Sequence, residues 1–143
     1  MLIINEMLTE NNIQRYGRQL ILKGWNSEKQ LKLGNLSAFI PEDLPAAALY
    51  LAAAGIGKLV LPIETSFSKH ISKFNSNVLI SFDQEATDIL LVADYQTQTE
   101  KKIEILENNS RLEIVSYLLG GNPHSISTLA AAKIISLVDR EVL

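Results

Sequence analysis

Residues Asn12 to Gly57 read NIQRYGRQLILKGWNSEKQLKLGNLSAFIPEDLPAAALYLAAAGIG, and the punctuation within them decides the fold. Leu36 to Ile40 is a short apolar run between Asn35 and Pro41, which predicts a first strand. The alanine-rich stretch Ala46 to Ala54 predicts a helix by propensity, with Gly55 as its stop. Pro41 or Pro45 suits the first turn of that helix, and Glu42 and Asp43 suit its positive end. Ahead of the strand, Ser27 to Leu33 predicts a short helix ended by Gly34. Before it, Thr9 to Lys23 predicts an amphipathic helix, with Thr9 as cap and Ile13, Tyr16 and Leu20 on one stripe.

Beyond Gly57 the alternation continues. Lys58 to Leu61 reads as the second strand, closed by Pro62, and Val78 to Phe82 as the third. Asp88 to Ala93 is continuously apolar after its first residue, as a strand buried on both faces should be. A helix is predicted over Thr97 to Glu107, a strand over Leu112 to Leu118, a turn at Gly120-Gly121-Asn122-Pro123, and a closing helix over Ser125 to Val138. Strands alternating with helices imply parallel crossovers. The expectation is a single α/β domain over 1–143: a Rossmann-like, doubly wound sheet of five or six mostly parallel strands at 36–143, behind an N-terminal helical dimerisation segment at 1–35.

Composition narrows the chemistry. With 47% hydrophobic and 20% charged residues in 143, the chain can bury a core. A net charge of −3 and the lack of a basic stripe argue against a nucleic-acid or anionic-membrane partner. There is no cysteine, hence no thioester, no disulfide and no C-x-x-C zinc site. No signal peptide or membrane-length apolar run is seen, so the expected location is the cytoplasm.

Two motifs, Arg15-Tyr16-x-Arg18-Gln19-x-x-Leu22 and Ala47-Ala48-Leu49-Tyr50-Leu51-Ala52-Ala53-Ala54-Gly55-x-Gly57, resemble the ThiF/MoeB/HesA family of adenylyltransferases that activate ubiquitin-like carriers. The closing stretch Ser127 to Ile135 is also similar to that family's last element. The resemblance implies ATP and magnesium as cofactors, a glycine-rich G-x-G-G-L-G phosphate loop after the first strand, an acidic residue ending the second strand, and a dimer. It also implies that Arg18 reaches the partner subunit's nucleotide, and that Ala93-Asp94-Tyr95 stands where the family has T-D-N near the nucleotide and its magnesium.

Against that pattern, the loop here is Ile40-Pro41-Glu42-Asp43-Leu44-Pro45. A phosphate cradle needs close backbone N–H groups and left-handed glycines. Two prolines remove donors and two carboxylates repel the anion. Pro62 and Ile63 replace the ribose-binding acid, with Glu64 arriving late. Next to the family, the chain reads as a trimmed, degenerate member. The leading reading of Arg15 and Arg18 is as exposed helix arginines, and of Asp94 as a cap for a helix near Thr97. His70, His124 and Ser125 form no catalytic pattern, and Trp25 and Tyr16 suit either core or a partner surface. No catalytic or metal-ligating residue is assigned, and no cofactor is expected. The expected function is an inactive partner subunit or scaffold in ubiquitin-like or sulfur-carrier activation, paired as a homodimer or with an intact homologue. A residual ATP-dependent adenylyltransferase, needing no thiol for its first half-reaction, is the alternative, and a small-ligand or peptide-binding module is the third reading.

Overall fold

The structure is a computed structural model that describes residues 25–83, 85–95, 103–108, 111–118, 123–140 and 143. Among the described residues, four helices and six strands follow in chain order: α1 (Ser27–Gly34), β1 (Ser37–Phe39), α2 (Pro45–Ala54), β2 (Lys58–Val60), α3 (Ser66–Phe74), β3 (Leu79–Ser81), β4 (Ile89–Asp94), β5 (Ile103–Asn108), β6 (Arg111–Tyr117) and α4 (Pro123–Asp139). They build one sheet in the order β3-β2-β1-β4-β6-β5. Every neighbouring pair is parallel except β5 with β6. This is the expected α/β, Rossmann-like architecture, wound outward in both directions from β1.

Each element begins and ends for a local reason. Asn26 caps α1 by accepting from the Lys29 N–H at 2.9 Å. Pro45 opens α2 at its first turn, and Gly55 closes it with φ 104°, a left-handed conformation that costs a side chain about 1–2 kcal/mol. Gly57 is needed for a different reason: a Cβ there would lie 2.0 Å from the Gly34 carbonyl oxygen. Its N–H donates to the Leu33 carbonyl at 3.2 Å, which seats the end of α1 against the turn entering β2. Thus the second motif, Ala47 to Gly57, is accounted for by packing.

The core lies between the sheet and the helix layer. Ala38, Leu59, Ile89, Leu91 and Ile114 of the strands meet Leu51, Ala52, Ala130 and Ile134 of α2 and α4, all at 1% exposure or less. Small alanines let α2 lie close against α4. Trp25 belongs to this core: its Nε1–H donates to Gln30 Oε1 at 3.0 Å, and Gln30 Nε2 donates to the Ala54 carbonyl at 2.9 Å. The chain entering α1 is therefore pinned to the end of α2, at the edge of the sheet where its parallel strands begin. At the same edge, Asp88 accepts from both the N–H and the hydroxyl of Ser37, joining β1 to β4.

Two expectations need correction. The helix predicted over Thr97 to Glu107 is a strand from Ile103 onward, with residues 96–102 outside the described set. Pairing with β6 wins over local propensity: Ile103 and Ile105 sit opposite Ser116 and Ile114, and Asn108 opposite Arg111 closes a hairpin. The stretch Thr65 to Asn75, between the second and third predicted strands with no element assigned to it, holds α3 with a reciprocal Thr65–Ser68 capping box. The predicted helix Thr9 to Lys23 lies outside the described residues, as do Arg15, Tyr16 and Arg18. Among the described residues, no helix is long and apolar enough to cross a membrane.

Candidate functional site

In an open parallel sheet, ligands bind beyond the carboxyl ends of the strands, where the winding direction reverses. Here that point lies between β1 and β4. The turn after β1, Pro41 to Leu44, folds back on itself, with the Leu44 N–H donating to the Pro41 carbonyl at 3.1 Å. Leu44 itself is fully buried, a plug beneath the turn. Glu42 and Asp43 are exposed.

The N-terminus of α2, the natural seat for an anion, is occupied by the protein's own groups. Leu44, at its N-cap, supplies no side-chain acceptor. Instead Ser127 of α4 reaches across, and its hydroxyl oxygen accepts from the Ala47 N–H at 2.7 Å. Pro45 has no N–H to offer, and Ser127 is completely buried. A helix N-terminus binds phosphate through unsatisfied N–H groups, and here the inward donor is already satisfied.

Across the crevice, Asp94 ends β4 and Tyr95 follows it. The Tyr95 hydroxyl lies near the Asp43 carboxylate, so the turns after β1 and β4 approach each other at the switch point. The interaction with Asp43 first, then some desolvation and the Asp43 charge, raise the Tyr95 phenol above its ordinary value. Asp94 is half-buried beside Tyr117, its register partner on β6, and its carbonyl accepts from the Leu118 N–H at 2.8 Å. Tyr117 is likewise raised, by desolvation first, then by its hydrogen bond to Glu104 at 3.1 Å and the charges of Glu104 and Asp94.

The cavity left at this edge is small. Ile40, Pro41, Glu42, Pro45, Ala48, Leu61, Pro62, Ile63 and Thr65 line about 140 Å³, against the roughly 300–1,000 Å³ of ordinary small-molecule pockets. Its walls are apolar apart from Glu42 and the Thr65 hydroxyl. Glu64 is exposed nearby, and Pro62 and Ile63 sit at the end of β2. Among the described residues, no group of three or more His, Asp or Glu side chains could hold a metal ion. His70 lies on α3, outside this cavity, and joins none of these groups. Sequence reasoning missed two participants, Ser127 and Tyr95. No local pattern marks either, because each acts on a segment distant along the chain.

Comparison with known proteins places this architecture. No protein-family profile matches the chain. The chain is 42% identical over 57 residues to Protein HesA of Leptolyngbya boryana, covering 38% of this chain and 21% of that protein. It is 34% identical over 121 residues to the adenylyltransferase and sulfurtransferase MOCS3 of Drosophila yakuba, covering 78% of this chain and 26% of that protein. The chain is a ThiF/MoeB-like family member. It spans about a quarter or less of the length of these curated relatives. Among solved structures, the E. coli tRNA N6-threonylcarbamoyladenosine dehydratase TcdA, in complex with ATP, superposes with a TM-score of 0.63. That match covers 99% of this chain and 98% of TcdA at 10% identity, so it speaks to the shared fold alone. In this ThiF/MoeB-like chain, the place that the family resemblance gives to a phosphate loop holds the Pro41 to Pro45 turn.

Proposed function

We propose that this chain is a catalytically inactive ThiF/MoeB-like protein, acting as a dimerising partner subunit or scaffold in the activation of a ubiquitin-like or sulfur-carrier protein. The observation that carries the reading is the N-terminus of α2: Ser127 takes its inward N–H and Pro45 supplies none. Two carboxylates on the same turn add repulsion, on the order of 1 kcal/mol per like-charge pair at 4 Å in water and more in a cleft. The partner is a second copy or an intact homologue, and Arg18 is lent to that partner. Asp94 is held beside Tyr117, a setting that suits a structural carboxylate better than a magnesium ligand.

Titration calorimetry of the purified chain with ATP and magnesium tests the reading. No saturable heat is expected at micromolar protein. Micromolar affinity would refute it and favour a residual adenylyltransferase, the activity that the MOCS3 relatives are named for. Pyrophosphate exchange with a candidate carrier then separates binding from catalysis.

A further inference from the structure

β5 ends the sheet on one side. Among the described residues its one ladder partner is β6, so every second residue of Ile103–Asn108 turns its backbone N–H and C=O away from the sheet. α4 passes beside it, and the two enclose an open groove of about 780 Å³. Ile103 and Ile105 form the strand wall, and Leu129, Ala132, Lys133 and Ser136, at helical spacing, form the helix wall. The groove holds roughly five times the ~150 Å³ that takes one benzene ring, room for several side chains in a row.

A groove between an edge strand and a helix selects an extended occupant. A strand laid there pairs its main chain with the free side of β5 and turns alternate side chains onto Ile103, Ile105 and Leu129, whereas a helix would leave those backbone groups to water. Leu129 is 44% exposed and Ala132 is small, so the helix wall offers apolar surface and space where such side chains arrive. Lys133 is half-buried, a placing in which the stem lines the wall and the ammonium keeps to water.

The charge of the occupant follows from β5 itself, which carries Glu104 and Glu107 and no cation. The Glu104 carboxylate lies on the face away from α4, where it accepts from the Tyr117 hydroxyl at 3.1 Å, and Glu107 is exposed. Opposite charges across a ladder stabilise it and like charges destabilise it. A second copy of β5 would set these glutamates against a strand with no cation, so the edge favours a different chain. We propose that the groove between β5 and α4 binds an extended segment of another protein by strand addition, with apolar residues opposite Ile103 and Ile105 and basic residues opposite Glu104 and Glu107. The inference is independent of the proposed function, since it requires neither the loss of nucleotide binding nor a dimer.

Fluorescence anisotropy with the full chain tests it. The probe is a labelled, capped hexapeptide, Lys-Thr-Val-Lys-Val-Thr, which in an antiparallel ladder sets its lysines opposite Glu107 and Glu104 and its valines opposite Ile105 and Ile103. Saturable binding is expected with a Kd of about 100 μM or tighter. Exchanging both lysines of the probe for glutamates should weaken it by roughly tenfold, and Glu104→Lys with Glu107→Lys in the protein should reverse that preference. Ala132→Trp, which fills the helix wall and leaves β5 unaltered, should cost roughly tenfold or more with unchanged circular dichroism. Two further probes, N-methylated on one or the other alternate set of backbone nitrogens, separate strand addition from simple apolar contact. Only one set faces β5, so one probe should bind as the parent does and the other roughly tenfold or more weakly. No saturable binding at about 1 mM protein, equal binding of the two methylated probes, or no loss in Ala132→Trp would each overturn the proposal. So would a wild-type dimer that Ala132→Trp converts to monomer, because a second copy would then hold the edge.

Discussion

Gly57→Ala should be among the most damaging single-methyl additions in this chain. A Cβ at residue 57 would lie 2.0 Å from the Gly34 carbonyl oxygen, 2.8 Å from the Gly34 carbonyl carbon and 3.3 Å from the Leu36 carbonyl oxygen. These are backbone atoms, so no side chain can swing aside. Bringing the closest contact to van der Waals distance requires more than about 1 Å of movement between α1 and the turn into β2. Such overpacking costs about 1–3 kcal/mol. The shift also loads two bonds, Gly57 N–H to Leu33 O at 3.2 Å and Leu79 N–H to Gly57 O at 3.0 Å, at about 1 kcal/mol each. The expected loss is about 3–5 kcal/mol, read as the fall in urea midpoint at constant m-value. Gly55→Ala is the comparison, since Gly55 carries the left-handed φ of 104° and should cost only about 1–2 kcal/mol. If Gly57→Ala lost less than Gly55→Ala, the argument from close approach would fail.

Two further outcomes follow from the same contacts. Gln30→Ala leaves the buried Trp25 indole N–H and the Ala54 carbonyl without their shared partner, so a loss of about 2–4 kcal/mol is expected in urea melts; a loss under about 1 kcal/mol would mean that the bridge is dispensable. Tyr95 and Tyr117 both have folded-state phenols raised above the ordinary value of 10.0, so the stability they add is full below that value and is lost as pH rises through the folded values. Asp43→Asn should return Tyr95 toward 10.0 in an ultraviolet phenolate titration while Tyr117 stays raised; an unchanged Tyr95 would show that Asp43 is not its partner.

The division between what the chain spells out locally and what packing decides is visible element by element. α1 and α2 were legible from Gly34, Pro45 and Gly55, because capping and propensity act within a few residues. Strands β1, β2, β3, β4 and β6 were legible from apolar runs bounded by Pro, Asn, Gly or Asp. β5 was not: Glu100 to Glu107 carries charges at helical spacing, and only the ladder to β6 makes Ile103 and Ile105 strand residues. α3 was missed because the signal of Thr65 and Ser68 is a reciprocal side-chain bond, weaker in sequence than the usual Glu at that place.

At the site, the sequence by itself determined that the turn after β1 lacks glycine and carries Pro41, Glu42, Asp43 and Pro45, since donors and charges are fixed by residue type. It equally determined the absence of a thiol. Only the tertiary structure decided that the Ser127 hydroxyl satisfies α2 from 80 positions away along the chain, that Tyr95 comes near Asp43, and that Trp25 belongs to the core. Hydrogen bonds between distant segments depend on where the folded sheet brings their atoms together, and no local pattern of residues encodes that meeting.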